Sequence, residues 1–144
     1  MAIKKRMAIK ILRELAREYD VRIHITESYP DCGFARYWKN SITVSRNQSA
    51  PNMFSTFFHE MGHIYCWNNS LWKSYHCNKP YEHLTKKEKK KLIMTALKAE
   101  RWVDKWAKNE MKKHFPNIKY LPGYSTKEDG ESFMKGIKKM LNYE

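Results

Sequence analysis

The sequence predicts a single small α+β domain over residues 1–144. Three observations carry that expectation. Apolar positions recur at three- and four-residue spacing in several long segments, a short stretch after the first of them alternates strictly, and turn residues punctuate the changes of period. A length of 144 residues suits one hydrophobic core and is too short for two domains of ordinary size. With 42% apolar and 14% aromatic residues, the composition is that of a folded globule rather than a disordered segment.

Residues 3–19 place Ile3, Met7, Ile11, Leu12, Leu15, Ala16 and Tyr19 on one helical stripe, with lysines and arginines at most other positions. The basic start is like that of a signal peptide, but Arg13, Glu14, Arg17 and Glu18 interrupt the apolar run and no small-residue cleavage site follows. The helix is therefore expected to stay on the protein. Val21, Ile23 and Ile25 alternate with polar residues and predict a half-buried strand over 21–26. After turn chemistry at 28–33, residues 34–38 and 42–45 read as two strands of a hairpin around Lys39, Asn40 and Ser41. A loop then leads to a helix from near Pro51, through Phe54, Phe57, Phe58, Met61 and Ile64, to about Trp67, ended by Asn68, Asn69 and Ser70.

Residues 70–84 are aromatic-rich and irregular, as a loop or lid over a site would be. Thr85 with Glu88 three positions on forms a capping box, and from there a long helix is expected to reach about His114, before Pro116. Residues 116–130 connect it to a last amphipathic helix carrying Phe133, Met134, Ile137, Met140 and Leu141. No run of about 18 apolar residues occurs, so no membrane-spanning segment is expected. Three cysteines without a Cys-x-x-Cys pair point to a reduced, cytoplasmic setting, although a Cys32–Cys77 cross-link is the alternative.

Chemistry concentrates in His59-Glu60-Met61-Gly62-His63, the pattern HExxH. On a helix, residues four apart share a face, so both imidazoles can approach one metal ion. Zinc accepts such ligands, and a catalytic zinc site uses three protein ligands and leaves a position for water. Glu60, beside the first ligand, is placed to take a proton from that water. The competing reading is a pair of core histidines with an incidental glutamate, which would be costly to bury unpaired on so apolar a helix.

The third ligand should come from another element. The apolar stripe of the long helix is Ile93, Ala96, Leu97, Val103, Ala107 and Met111, and Glu100 and Asp104 fall within it. Two carboxylates on a buried face need compensation. A metal ion would supply it for Glu100, and the outer N–H of a ligand histidine would supply it for Asp104. Otherwise both sit at the edge of the stripe and pair with lysines or arginines.

Glu100-Arg-Trp-Val-Asp104-Lys-Trp-Ala107 resembles the second motif of gluzincin-type zinc metallopeptidases, especially small ones of the ImmA/IrrE-like kind. The order of helix, strand, hairpin and Phe54-Ser-Thr-Phe-Phe58 before HExxH is similar too, and the resemblance covers roughly residues 5–111. It implies a zincin-like (minigluzincin) domain, a small twisted sheet beside the HExxH helix and a second helix that bears a ligand. It implies His59, His63 and Glu100 as zinc ligands, Glu60 as catalytic base and Asp104 as the residue that supports a ligand histidine. The activity implied is that of an endopeptidase on an intracellular protein or peptide, such as a regulator. Val103 stands where alanine is usual in that family, and the Leu-Leu-Met-Pro-like segment after the second motif is absent.

Two features favour a different class. His76, thirteen residues beyond His63, could replace Glu100 as ligand, as in SprT-like proteases that act on DNA-bound proteins. The net charge of +13 suits a nucleic-acid partner, or simply a solvated surface. Lysines and Arg101 along residues 86–113, interleaved with Trp102 and Trp106, and Lys4, Lys5, Arg6, Lys10, Arg13 and Arg17 of the first helix are the basic residues with which phosphates could be gripped. The alternative function is thus a nucleic-acid-associated zinc-binding module with weak or absent hydrolysis. Cys66 as a thiolate ligand, and Tyr75, Tyr81 or Tyr124 as donors to a developing oxyanion, are further candidates among which spacing does not choose.

Overall fold

The computed structural model describes residues 3–27, 32–71 and 81–121, apart from the side chains of Tyr81, Ile93 and Ala96. The described elements are helices α1 (Lys5–Glu18), α2 (Ala50–Asn68) and α3 (Lys86–His114), strands β1 (Arg22–Thr26), β2 (Gly33–Arg36) and β3 (Ser41–Ser45), and short 3-10 turns at Tyr37–Lys39 and Tyr81–His83. The expected last helix and most of the aromatic stretch, with His76, Cys77, Tyr75 and Tyr124, lie outside the described residues. The chain is α+β: three helices pack with a three-stranded mixed sheet in the order β1-β3-β2. β1 runs parallel to β3, with Ile23 opposite Ile42 and Ile25 opposite Val44, whereas β2 pairs antiparallel with β3.

The hairpin expected over 34–45 forms, with one correction. Residues 37–39 do not continue the strand but make a 3-10 turn, and Asn40 closes it in the left-handed region at φ 53°. Asparagine is among the residues that adopt that conformation most readily, and the Asn40 side chain is anchored to the end of α1, where Nδ2 donates to the Asp20 carbonyl at 2.8 Å. Its own carbonyl accepts from Arg22 at 2.9 Å, which aligns the start of β1 with β3.

Helix α2 is the centre of the molecule, in contact with α1, β2, β3 and α3. Its Phe54, Phe57 and Phe58 are fully buried with Leu12 of α1, Ile42 and Val44 of β3, and Met111 of α3. Ser49 caps α2 by accepting from the Asn52 N–H at 3.3 Å. Both α1 and α2 end in the same way. Val21 donates to the Ala16 carbonyl and Asp20 to Arg17, and in parallel Leu71 donates to Cys66 and Ser70 to Trp67. These are Schellman motifs, with Asp20 and Ser70 at the left-handed position usually held by glycine.

The capping box of α3 is present in both halves, Thr85 Oγ1 accepting from Glu88 N–H at 3.1 Å and Glu88 Oε1 from Thr85 N–H at 3.3 Å. At the far end, the Tyr19 hydroxyl donates to Glu110 at 2.9 Å and meets His114 Nε2 at 2.9 Å, tying α1 to α3. The chain then turns back after α3. Phe115 stacks on Phe54 at 4.6 Å between ring centroids, and the Leu121 N–H donates to the Ser55 hydroxyl at 2.9 Å. That return brings Tyr120 into the interior. No described helix is long and apolar enough to cross a membrane.

Candidate metal centre

The centre of the molecule's polar chemistry lies where α2 crosses α3. What lets the two helices approach is Gly62, between the two histidines. A Cβ there would sit 2.9 Å from Val103 Cγ1 and 3.4 Å from the Val103 carbonyl, and Val103 is fully buried. A β-branched side chain in that position cannot give way easily. Glycine therefore sets the helix separation, and the separation sets how far Glu100 and Asp104 reach toward α2.

Reach is sufficient. His59 Nε2 lies 3.1 Å from Glu100 Oε2, His63 Nε2 lies 3.1 Å from Glu100 Oε1, and the two Nε2 atoms are 3.2 Å apart. One ligand atom from each of His59, His63 and Glu100 falls within 4.8 Å of the others, so the three could hold a metal ion. Behind them, His59 Nδ1 lies 2.9 Å from Asp104 Oδ1. With the Nδ1 proton given to that carboxylate, the Nε2 lone pair faces Glu100 and His63. The expected positions of Glu100 and Asp104 on one stripe with Val103, Ala107 and Met111 therefore hold, and the pairing with lysines or arginines does not occur for these two carboxylates among the described residues.

Charge at the site is lopsided: Glu60, Glu100 and Asp104 face two imidazoles. Burial pushes the Glu100 carboxyl up, but hydrogen bonds from His59 and His63, with their charges, bring it down to about 2. Burial alone would lower His59, yet its bonds to Asp104 and Glu100 and the nearby Glu60 carry it up to about 10. The carboxylates thus favour positive charge at this point, whether a proton on His59 or a metal cation.

Glu60 reaches toward β2. Burial raises its carboxyl above the ordinary range against the pull of His59 and His63, and it accepts a hydrogen bond from the Ala35 backbone N–H. The ladder explains that bond. Ser45 N–H donates to the Cys32 carbonyl, so by the two-residue alternation of an antiparallel pair residues 34 and 36 face β3 and Ala35 faces outward. Glu60 therefore sits against the free edge of β2.

Two tyrosines complete the site, and neither was among the sequence candidates. Tyr120 donates to Asp104 Oδ1 at 2.6 Å and comes within 3.3 Å of His59 Nδ1. Tyr37 of the 3-10 turn has its ring 6.2 Å from that of His63 and 5.6 Å from Trp67. Burial, then the charges of Glu60 and Glu100, push the Tyr37 hydroxyl up, which keeps it protonated. No pattern announces either residue. One arrives by the chain reversal after Pro116, and the other by the turn that replaces the expected strand end.

Of the remaining candidates, Cys66 is buried, with its thiol pushed up to about 11 by burial and by Glu100, and it is not part of the cluster. Trp102 and Trp106 stack on Tyr65 at 5.9 and 5.4 Å, so these rings join α3 to α2. Neither a protein-family model nor a curated protein nor a solved structure matches the chain.

Proposed function

We propose that this chain is a zinc-dependent endopeptidase of the gluzincin type, zincin-like in fold and ImmA/IrrE-like in motif, acting in the cytoplasm on a protein or peptide such as a regulator. The observation that supports it most is the meeting of His59, His63 and Glu100 from two helices, with Glu60 beside them and Asp104 behind. Two imidazole nitrogens and a carboxylate are a donor set that zinc accepts. Separations of 3.1–3.2 Å are near the edge of roughly 3.4 Å that a tetrahedron with ligand bonds of about 2.0–2.1 Å would have.

When bound by His59, His63 and Glu100, zinc supplies a Lewis acid that polarises a peptide carbonyl and makes water a better nucleophile. The rest falls to the chain's own groups. A Glu60 carboxylate oxygen takes the proton from the attacking water and later delivers it to the leaving amide nitrogen; its upward shift brings it closer to the pH at which it must do both. Asp104 and Tyr120 hold the His59 ring in one tautomer. Tyr37 offers a protonated hydroxyl on the His63 side, suited to meet charge developing on the carbonyl oxygen. An extended substrate can add to the outer edge of β2, where the Gly33 backbone groups and the Ala35 carbonyl face away from β3.

Replacing Glu60 by Gln preserves shape and removes the proton acceptor. The zinc-loaded E60Q variant is expected to keep its metal and lose cleavage of unfolded protein substrates by at least about 100-fold, read by mass spectrometry of the fragments. Cleavage at the wild-type rate would remove Glu60 from the reaction. Full zinc in a wild-type protein that cleaves nothing would instead favour a metal-containing binding module.

A further inference from the structure

Away from α2 and α3, helix α1 and the outer edge of the sheet enclose a groove of about 730 Å³. Its walls are basic. Arg6, Lys10, Arg13 and Arg17 follow each other at four-, three- and four-residue intervals, so they share one face of α1. Arg46, just past β3, lines the opposite side. Its backbone N–H donates to Thr26 at the end of β1, and its Nε lies 3.3 Å from Glu27. Against these five cations the lining includes one carboxylate, Glu14, and the aliphatic side chains of Ile9 and Ile25.

We propose that this groove binds the phosphate backbone of duplex nucleic acid. The span fits. The eleven residue steps from Arg6 to Arg17 cover about 16 Å of helix. One strand of a duplex places a charge every 3.4 Å or so along its axis, which gives about five phosphates over that length. Concavity matters as well, because a cleft whose walls are predominantly of one sign concentrates its field in a way that a convex helix does not. The lysines of α3, the other basic set that the sequence offers, lie mostly exposed along a helix whose Trp102 and Trp106 are occupied by Tyr65.

The lining also discriminates among polyanions. Single-stranded nucleic acid is held by aromatic rings on which bases stack, and among the described residues the groove lining contains none. An anionic membrane surface calls for a free apolar helix face. On α1 that face is spent on the core through Ala8, Leu12, Leu15 and Ala16, leaving Met7 as its exposed large apolar side chain. Backbone contact with a duplex needs neither rings nor an apolar wedge. The groove lies on the β1 side of the sheet and Glu60 on the β2 side, so this binding stands or falls independently of hydrolysis.

The test measures binding of the full chain to a fluorescent 20-base-pair DNA duplex by anisotropy, across a salt series. Wild type is expected to show a log–log salt slope of about −4.5, about −0.9 for each of five phosphates neutralised. A variant with Arg6, Lys10, Arg13 and Arg17 all changed to Gln should bind at least tenfold more weakly. A variant of equal charge loss on α3 (Lys87, Lys90, Lys91 and Lys108 to Gln) should stay within threefold of wild type. Arg46→Gln, which leaves α1 untouched, should weaken binding two- to threefold and flatten the slope by about one. Equal losses from the α1 and α3 variants, or no loss from either, would overturn the proposal in favour of diffuse charge. Tighter binding to a single strand of the same length, or to vesicles of anionic phospholipid, would overturn the choice of duplex.

Discussion

His59 is held from both sides of its ring, by Asp104 at Nδ1 and by Glu100 at Nε2, which couples its ionisation to both carboxylates. The direction follows from the two shifted groups. Glu100, lowered to about 2, contributes stability that is complete above its ordinary value of 4.5 and is lost as pH falls toward 2. His59, raised to about 10, contributes stability that is complete below its ordinary value of 6.5 and is lost as pH climbs through 10. Metal-free protein is therefore expected to melt highest between about pH 4.5 and 6.5, in a series of thermal scans. By the same reasoning metal binding at pH 7 should release about one proton from His59, measurable by calorimetry in buffers of different ionisation enthalpy. Asp104→Ala should weaken metal binding by about 10- to 100-fold, because it frees the ring to rotate and change tautomer. A flat melting curve across the series, or metal binding without proton release, would mean that the imidazole is already neutral.

Among the elements, the α2–α3 crossing and the two helix ends carry distinct expectations. Gly62→Ala forces Cβ against the stiff, buried Val103 and must spread the helices. A loss of about 1–3 kcal/mol by denaturant unfolding is expected, together with weaker metal binding, since Glu100 retreats from both histidines. Ser70→Gly relieves a left-handed residue at the end of α2 and should stabilise by about 0.5–1 kcal/mol in the same assay, with metal binding unchanged. The helices were legible because their signals are local. The Thr85–Glu88 box and the Pro116 break bracket α3, and the apolar spacing of α1 and α2 locates both to within two residues of their ends. Tyr37 and Trp38 misled because their composition suits a strand, whereas Asn40 closes a turn there. The pairing of Glu100 with His59 and His63 was legible as two buried-face carboxylates needing a partner. Tyr120 was not, because its approach depends on a chain reversal held by the Phe115–Phe54 stack and the Ser55 hydroxyl, neither of which leaves a periodic trace.

For the molecule as a whole, the basic groove lies by the β1 edge of one small sheet, while Glu60 of the histidine–carboxylate site reaches β2 at the other. The central claim concerns the cluster: that a zinc ion is held by His59, His63 and Glu100. It is tested most directly by a competition titration of zinc against a chelator of known affinity, at one pH, on wild type, Glu100→Ala and His76→Ala. Glu100 is fixed by a capped helix before any metal arrives, so wild type should bind one zinc per chain and Glu100→Ala should lose most of that affinity. His76→Ala should bind nearly as wild type does. Retention of zinc by Glu100→Ala with its loss in His76→Ala would contradict the assignment and move the third ligand to the histidine.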